Sequence, residues 1–532
     1  MFKKSFISFI LLLSVISSLL FAGCSGETAG DSSSSSTVSE SSNEESTESK
    51  SESVEDDSKD SSDVSGEVET EIVDIAYSDL AKKDLNQREV YIIQRWFGYG
   101  KADMNFTGEV LYMENASSGL DEVNQAKADI MAQIEKDYNC KITGELFGEG
   151  SVNIVGDLKT LVENDILTKT GKYDILFESP YWYSSFARDS HLKDINSIST
   201  INTKSTCWDM SAVSGLSVKD KLYFLTGDIN TYDNSRTTVL LFNKELYKKS
   251  GYKEDLYELV KNGEWTFDKL KSLSLSFENI DNNKDGKRDE YDFWFLGSNK
   301  SNLYSHVIAS GGSIFKKDSS GQLAFTMDEP DTLTALSNAI DFYKSGSVLV
   351  CDAEEYKNKY PIPEWSHYML NEKAFLSGRM LFQITDLGKI TYYRQMEDEF
   401  GILPMPKSSV DADYYSACSP SVMSTLMIPA GVNADDDLGL VIQALGELSE
   451  EKLTEVYYQS ILKQGDKTDT ESKECLDIIF DNRYYDLGAV FGQEFGKPHE
   501  MYASLQGDFE EKIQDAKADI QASFDAFVSK FE

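Results

Sequence analysis

Along the first part of the folded region, the spacing of apolar residues alternates between that of a β-strand and that of an α-helix. This alternation predicts the order of the strands and helices. Val90–Ile93 is a continuous apolar, β-rich run typical of a strand. Residues 126–138 instead carry Ile130, Met131 and Ile134 at helical spacing. The alternation then repeats, with strands predicted at 140–147 and 173–177 and a helix at 153–164. This strand–helix–strand repetition predicts an α/β protein with a parallel sheet covered by helices.

The C-terminus carries one apolar stripe at helical spacing, and we expect that helix to pack on the core. The stripe consists of Ile513, Ala516, Ile520, Phe524, Phe527 and Phe531. About 450 residues remain after the N-terminal segments described below, which is more than one hydrophobic core usually supports. The sequence therefore predicts two or three lobes.

The first residues predict export. Lys3 and Lys4 precede a short apolar run that ends in Leu20-Phe21-Ala22-Gly23-Cys24. A basic start, an apolar stretch and small residues before a cleavage point are typical of a secretory signal peptide. Because a Cys follows Ala-Gly, the segment resembles the bacterial lipobox, which predicts a lipoprotein signal peptide over 1–23 and a lipidated, palmitate-bearing Cys24. Two alternatives remain: an ordinary signal peptide with an incidental Cys, and a transmembrane helix, for which the run is short and interrupted by serines.

The segment that follows Cys24 has the composition of a tether. Up to about residue 70 it is dominated by Ser, Glu, Asp, Thr and Gly, with few apolar residues to bury. Its like charges repel one another and extend the chain. We therefore predict that residues 24–85 form a disordered, acidic, Ser-rich tether, with a binding role for the acidic run as the less favoured alternative.

The net charge argues against a nucleic-acid-binding protein, and the cysteine spacing argues against a site built from C-x-x-C pairs. The formal net charge of −40 argues against nucleic acid as a partner, because proteins that bind nucleic acids are basic. The five cysteines after Cys24 are widely spaced and form no C-x-x-C pair. Scattered buried thiols are the favoured interpretation, with a single disulfide as the alternative.

The sequence also lacks the common catalytic motifs. It has four histidines and contains no Gly-x-Ser-x-Gly, His-Glu-x-x-His or P-loop pattern. With 91 Asp and Glu residues, any pair of carboxylates for a glycosidase could be imagined, so composition gives no support for one. We therefore predict that the protein is not an enzyme.

Several motifs in the middle of the chain resemble one protein family. They are Thr238–Tyr247 with Ser250–Tyr252, Gly263–Leu270, Gly311–Phe315, Phe375–Phe382 and Gly401–Pro406. Each is weak alone, but their order matches the extracellular solute-binding proteins of family 1, the carbohydrate-type binding lipoproteins of bacterial ABC importers. The resemblance covers roughly residues 86–532 and implies the type II periplasmic-binding-protein-like fold, in which two discontinuous α/β lobes are joined by hinge strands. It implies that residues 86–236 and 386–428 form the first lobe, and residues 237–385 and 429–532, with the C-terminal helices, the second.

The same resemblance implies the function. The protein is expected to capture a sugar or oligosaccharide between the lobes by hinge closure and to deliver it to an ABC permease. It is expected to be a monomer anchored by its lipid to the outer face of the cytoplasmic membrane, at the surface of a Gram-positive bacterium. Two alternatives remain: a sensory or adhesion lipoprotein that presents its ligand to another receptor, and an importer receptor for a peptide or other non-sugar solute.

One loop has the oxygen spacing of a calcium site. Residues 281–292 begin like an EF-hand loop, with Asp, Asn and Asp side chains at alternate positions before Gly286. The resembling loop of solute-binding proteins closes through an Asp-Glu pair. The predicted ligands of a structural Ca²⁺ are Asp281, Asn283, Asp285, the Lys287 carbonyl, Asp289 and Glu290. The alternative is a solvated turn rich in Asp, Asn and Gly.

Candidate ligand contacts lie near predicted strand ends and hinge crossings. Aromatic rings suit the C–H faces of sugars, and Asp, Asn and Arg side chains suit their hydroxyl groups. The candidates are Tyr181, Trp182, Tyr183, Asp228, Tyr232, Asp233, Arg236, Trp365, Asp386, Tyr414 and Tyr415. Core packing is the alternative for each aromatic residue, and we expect a third to a half of the set to contact ligand.

Overall fold

The structure is a computed structural model that describes residues 72–95, 121–148, 154–318, 322–351, 369–433, 435–464, 467–503 and 507–531. The predicted signal peptide, Cys24 and Trp365 lie outside these residues. The described residues belong to one compact unit. No helix among the described residues is both long enough and apolar enough to cross a membrane.

Fifteen strands are present among the described residues. They are β1 (Arg88–Arg95), β2 (Cys140–Phe147), β3 (Ile175–Glu178), β4 (Thr238–Asn243), β5 (Trp294–Asn299), β6 (Phe315–Lys317), β7 (Leu323–Phe325), β8 (Val348–Cys351), β9 (Met380–Asp386), β10 (Phe400–Leu403), β11 (Ser416–Ala417), β12 (Thr425–Met427), β13 (Lys463–Gln464), β14 (Lys467–Thr468) and β15 (Arg483–Tyr484).

Eighteen α-helices flank these strands in the described part of the chain. They are α1 (Asp121–Tyr138), α2 (Ile154–Thr168), α3 (Pro180–Arg188), α4 (Met210–Leu216), α5 (Thr231–Ser235), α6 (Lys244–Lys249), α7 (Leu256–Lys261), α8 (Phe267–Leu275), α9 (Asn302–Ala309), α10 (Pro330–Tyr343), α11 (Met369–Leu376), α12 (Ile390–Tyr393), α13 (Asp436–Lys452), α14 (Thr454–Leu462), α15 (Glu471–Asp481), α16 (Leu487–Val490), α17 (Pro498–Met501) and α18 (Phe509–Val528).

The first sheet has the strand order β12-β3-β1-β2 and confirms the predicted parallel core. β1 pairs in parallel with both β2 and β3, while β12 pairs antiparallel with β3. Val90, Ile92 and Ile93 are fully buried on both faces of β1, as expected when helices cover a parallel sheet on both sides. The predicted strand at 140–147 matches β2 at both ends. The predicted helix at 126–138 falls within α1, and the described part of the predicted helix at 153–164 falls within α2.

The second sheet has the strand order β10-β4-β9-β5-β8. β9 and β8 run parallel to β5, whereas β4 runs antiparallel to β9 and β10 antiparallel to β4. The carboxyl ends of β5, β8 and β9 therefore meet at one edge, beside the start of β4. Open α/β sheets bind their ligands at this edge.

The chain departs from the predicted lobes at two places. Residues 386–428 were assigned to the first lobe, but β10 pairs with β4 in the second sheet. Gly401 permits this pairing, because a Cβ there would lie 2.2 Å from an atom of the Phe242 ring. Residues 429–532 were assigned to the second lobe, but α13 packs against α1 beside the first sheet.

The folded body also begins earlier than predicted. Val73 forms a bridge with Ser205, and the Tyr77 amide donates to Glu451 over 2.8 Å. The side chains of Tyr77 and Leu85 are buried, so this segment supplies apolar surface that the preceding serine-rich chain does not. The predicted tether boundary at residue 85 is therefore too late.

Candidate ligand-binding cleft

A cavity of about 500 Å³ lies at the carboxyl edge of the second sheet. One side is formed by the ends of β5 and β9 with helices α9 and α11, and the other by the loop before β12 and by α17. Its lining residues are Arg236, Asn299, Ser301, Asn302, Tyr304, Ser305, Asn371, Glu372, Gln383, Ile384, Thr385, Asp386, Lys389, Ser419, Pro420, Ser421, Val422, His499, Glu500 and Ala503. The cavity thus contacts elements attached to both sheets, as a cleft between two lobes does.

Three segments that pass between the sheets meet at one end of this cavity. Arg236 precedes β4, Asp386 ends β9, and Ser419 lies between β10 and β12. The Arg236 guanidinium contacts the Asp386 carboxylate over 3.3 Å, and the Ser419 hydroxyl donates to the other Asp386 oxygen over 3.0 Å. The Ser419 amide donates to the Arg236 carbonyl over 2.9 Å. These bonds tie the three crossings together.

A buried ion pair lies deeper in the cavity wall. The Lys389 ammonium donates to the Glu372 carboxylate, and both side chains are less than a tenth exposed. Burial raises the pKa of Glu372, while the positive charge of Lys389 opposes that rise. The pair links α11 to the turn after β9, so it positions two elements of the second lobe.

Amide side chains occupy the end of β5 and the start of α9. The Asn299 Oδ1 accepts from the Ser301 hydroxyl and, over 3.2 Å, from the Asn302 backbone amide, which holds the turn into the helix. The Asn302 Nδ2 donates to the Ser298 hydroxyl over 3.1 Å. Asn371 is buried and donates to the Ser298 carbonyl. Neutral donors and acceptors therefore dominate this wall.

The opposite wall rests on aromatic side chains. Trp182 donates its indole N–H to the Ser421 carbonyl over 2.8 Å, and Tyr181 packs edge-on against His499 with ring centroids 5.4 Å apart. Burial lowers the pKa of His499 to about 4, so this imidazole is neutral at physiological pH. Tyr181 and Trp182 thus support the wall from behind.

The predicted ligand residues separate into distinct environments. Arg236 and Asp386 line the cleft. Tyr183, Tyr232 and Asp233 are buried in the core. Tyr414 donates its hydroxyl to the Val260 carbonyl over 3.2 Å.

Asp228 and Tyr415 line two other cavities, of about 410 and 330 Å³, that share Arg483. The Arg483 side chain is 9% exposed and pairs with Asp209 over 2.8 Å and with Asp233 over 3.5 Å. Burial raises the pKa of Asp228 to about 7 and that of Asp233 to about 6, because it disfavours the charged carboxylate. These carboxylates therefore belong to a buried network beside the hinge segment α5.

Sequence reasoning missed most of the polar lining. Asn299 ends β5 and Asn302 begins α9, so the strand-end rule that selected Asp386 would have found them had this strand been predicted. Glu372 and Lys389 are distant in sequence and lie on a helix and a turn, and only the packing of α11 against β9 brings them together. Two aromatic residues, Tyr304 and His499, lie in the described lining, and neither was predicted.

The predicted calcium loop is closed by its own hydrogen bonds. The Gly286 amide donates to Asp281 Oδ2 over 2.9 Å, and the amides of Asp285 and Lys287 donate to the Asn283 and Asp285 side chains. Asp281 Oδ1 is buried and accepts no hydrogen bond, so an oxygen remains for a cation at the start of the loop. The described residues include no group of three or more His, Cys, Asp or Glu side chains gathered for a metal.

The end of that loop is held by a residue outside the predicted set. Both oxygens of Asp292 accept backbone amides over 3.0 Å, one from Asn282 and one from Asp289. Glu290 is buried, and its carbonyl accepts from Arg379 over 3.3 Å. The Asp and Asn side chains at the start of the loop therefore fit Ca²⁺ by type, while the predicted carboxylates are not brought to one point.

Several solved structures are similar to this chain in fold. The cyclic α-maltosyl-1,6-maltose binding protein from Arthrobacter globiformis matches with a TM-score of 0.51 at 13% identity, over 84% of this chain and 99% of that one. UgpB from Mycobacterium tuberculosis, in complex with glycerophosphocholine, matches with a TM-score of 0.50 at 14% identity, over 76% and 97%. UspC from Mycobacterium tuberculosis matches with a TM-score of 0.50 at 13% identity, over 82% and 100%.

No protein-family model and no curated protein sequence matches the chain. At these identities the structural matches establish the fold. They agree with the α/β architecture described above and with the fold that the sequence motifs imply. The chain therefore has the two-lobed fold of the family 1 extracellular solute-binding proteins.

Proposed function

We propose that the protein is the membrane-anchored, extracellular solute-binding component of an ABC importer, and that its cargo is a sugar or oligosaccharide. The observation that carries this proposal is the cavity of about 500 Å³ between elements of the two lobes, at the carboxyl edge of the second sheet, whose lining residues are mainly of polar types. Ligand pockets of open α/β sheets lie at this position and are commonly of this size.

The structural neighbours support binding rather than catalysis. The Arthrobacter globiformis protein is named for an oligosaccharide that it binds. The UgpB structure is a complex with glycerophosphocholine, so the fold also accommodates a solute that is not a sugar. An importer receptor for a non-sugar solute is therefore the second candidate.

The hinge supplies a mechanism for delivery. Arg236, Asp386 and Ser419 lie where the chain crosses between the sheets, so a rotation of one lobe needs changes at few backbone positions. A ligand held by both walls stabilises the closed form only through contacts that the open form lacks. The permease would then distinguish loaded from empty protein by the relative position of the lobes.

Thermal unfolding of the purified protein against a panel of neutral oligosaccharides, peptides and glycerophosphocholine tests the proposal. A ligand that binds only the folded state raises the melting temperature by mass action. A shift with one oligosaccharide class is the expected result. Shifts with peptides or glycerophosphocholine alone would contradict the carbohydrate cargo.

A sensory or adhesion lipoprotein would share this binding site, so a second measurement separates it from an importer. Deletion of the gene should abolish uptake of the radiolabelled cargo by whole cells. Unchanged uptake together with lost transcriptional or adhesive responses to that sugar would favour the sensory alternative.

We also propose that Cys24 anchors the protein by lipid. The support is the lipobox-like segment before Cys24. Labelling with a palmitate analogue should mark the wild type and leave Cys24→Ser unlabelled, with the variant released to the medium. Equal labelling of both proteins would contradict the anchor.

The loop at residues 281–292 is proposed to bind a structural Ca²⁺ with the predicted ligands Asp281, Asn283, Asp285, the Lys287 carbonyl, Asp289 and Glu290. The buried, unpaired Asp281 Oδ1 supports the proposal. A bound Ca²⁺ would draw together carboxylates that otherwise repel one another. Chelation should lower the melting temperature of the wild type and leave Asp281→Asn unaffected, whereas an unchanged melting temperature after verified metal removal would contradict the site.

A further inference from the structure

Most of the charged side chains in the described wall of the cleft are paired within the protein. Lys389 is bound by Glu372, and Arg236 by Asp386. Arg236 also donates to the Tyr232 hydroxyl, and its guanidinium lies 4.7 Å from the centre of that ring. Each cation of the described lining thus has a carboxylate of its own.

The remaining charged group of the lining is a carboxylate. Glu500 is exposed on α17 and lies 3.3 Å from the Lys497 ammonium. His499 beside it is neutral at physiological pH. The described lining therefore carries three carboxylates against two cations, and both cations are already engaged.

Two uncharged polar atoms of the lining also remain available to a ligand. The Asn299 Nδ2 donates no hydrogen bond to another described residue, and the Asn302 Oδ1 accepts none from one. The two atoms lie on side chains at the end of β5 and the start of α9, in the same wall. One is a donor and the other an acceptor, which is what a hydroxyl group needs, because it both donates and accepts. An ionised ligand carboxylate only accepts, so it would leave the Asn302 oxygen without a partner.

We infer that the cleft selects uncharged polyhydroxylated ligands, and that Glu372 and Asp386 determine this specificity by neutralising Lys389 and Arg236. The inference rests on the proposed function and narrows its cargo to neutral sugars. An anionic ligand would meet no unengaged cation in the described wall, and would face the Glu372, Asp386 and Glu500 carboxylates. Exclusion of a wrong ligand by like charge is a usual source of specificity.

Calorimetric titration of the wild type tests whether the cleft selects uncharged ligands. Neutral gluco-, galacto-, manno- and xylo-oligosaccharides are compared with digalacturonate, trigalacturonate and inorganic phosphate. We expect at least one neutral series to bind, and the uronates to bind at least about tenfold more weakly than neutral galactose oligomers of the same length. Uronate or phosphate binding as tight as that of the best neutral ligand would overturn the inference.

Two variants test whether Glu372 and Asp386 determine this specificity. Glu372→Gln and Asp386→Asn each leave one cation of the wall without its carboxylate, at nearly unchanged side-chain volume. Either variant should gain affinity for trigalacturonate or phosphate by about tenfold or more relative to the wild type. Glu510→Gln, an exposed change on α18, is the matched control and should gain none.

Folding is checked separately, because Glu372 is buried. Circular dichroism and the melting transition establish that each variant is folded, and Asp386→Asn, at a carboxylate that is 22% exposed, gives a second measurement if Glu372→Gln does not fold. Folded variants without any gain for anions would overturn the role assigned to the two carboxylates.

Failure of the inference and failure of the proposed function have different signatures. If no neutral sugar binds the wild type, yet both variants gain phosphate or uronate binding, the sugar cargo is wrong and the neutralising role of Glu372 and Asp386 stands. If neutral sugars and uronates bind the wild type equally, the importer function stands and the selection of neutral ligands is wrong.

Discussion

The Nη1 of Arg236 lies 3.3 Å from Oδ2 of Asp386, and this contact joins the segment that enters the second sheet to the strand that leaves it. The other Asp386 oxygen accepts the Ser419 hydroxyl over 3.0 Å, so one carboxylate holds all three crossings. The same carboxylate lines the cleft. Hinge position and ligand site are therefore coupled through a single side chain.

Removal of this carboxylate should loosen the hinge. We expect Asp386→Ala to lower the free energy of unfolding by about 1–3 kcal/mol, because Arg236 and Ser419 lose a shared partner. Ligand affinity should fall as well, since closure would no longer be limited to one geometry. Urea denaturation and calorimetry measure the two effects, with the exposed Asp508→Ala as control. Wild-type stability and affinity in Asp386→Ala would contradict the coupling.

The Glu372–Lys389 pair should show strong non-additivity in stability. Glu372→Gln removes the carboxylate that binds the buried Lys389 ammonium and should cost about 3–5 kcal/mol. The double change Glu372→Met with Lys389→Met removes both charges and should recover most of that loss, because no charge then has to be desolvated. Urea denaturation of the two single variants and the double variant gives the coupling energy. Additive losses would mean that the two side chains stabilise the fold independently.

Asp228 should make the protein less stable as the pH rises. Burial raises the pKa of Asp228 to about 7, whereas the pKa of an Asp in the unfolded chain is about 3.9. Between these values the folded state binds more protons, so the free energy of unfolding falls with rising pH and the loss is complete above about pH 7. Asp228→Asn removes this term, so the variant should gain stability relative to the wild type between pH 4 and pH 8, by about 1.4 kcal/mol for each unit of the shift.

The surroundings of Asp228 set the control for that measurement. The carboxylate accepts the Thr454 hydroxyl, and Glu450, Asp233 and Arg483 act on it electrostatically. Asp233 titrates over a similar range, with its pKa raised to about 6. The wild-type slope should therefore fall only in part in Asp228→Asn, while Asp508→Asn keeps it. An unchanged slope in Asp228→Asn would contradict the assignment.

The cysteines provide a test of burial and of the lipid anchor together. Cys140, Cys207, Cys351, Cys418 and Cys475 are buried, and burial raises the pKa of the Cys140 thiol to about 11. The folded protein should therefore react slowly with a thiol reagent, and reductant should not change its melting temperature. After denaturation in the absence of reductant, five thiols should react if Cys24 is lipidated. A sixth would show that Cys24 is unmodified, and fewer than five would indicate a disulfide.

Gly227 should not tolerate a side chain. A Cβ at this position would lie 2.2 Å from the Cys207 carbonyl oxygen and 2.7 Å from the Trp208 Cα, and backbone atoms have little freedom to move away. Gly227→Ala should cost about 3 kcal/mol or more. Gly251→Ala, at a site with no atom nearby but a φ of +85°, is the control and should cost only the local backbone strain. Equal losses of stability in both variants would mean that the backbone moves far enough to remove the clash at residue 227.

The sequence by itself determined the local elements and the fold class. Strand Cys140–Phe147 and the helices around residues 126–138 and 153–164 follow from the spacing of apolar residues, which the backbone geometry of a strand or helix converts directly into a buried face. The order of the family motifs gave the two-lobed architecture. Arg236 and Asp386 were found because strand ends and crossings mark the cleft edge.

Only the tertiary structure decided which side chains share the cleft and which sheet some segments join. Tyr183 and Tyr232 were predicted from the sequence to contact ligand, but both are buried. The sequence could not show this, because an aromatic side chain after a strand or on a short helix has the same local pattern whether it faces a ligand or a core. Phe400–Leu403 joins the second sheet through pairing with a strand about 160 residues earlier, and Glu372 meets Lys389 across a helix and a turn. Such contacts depend on packing between distant segments, and the period of a single segment carries no information about them.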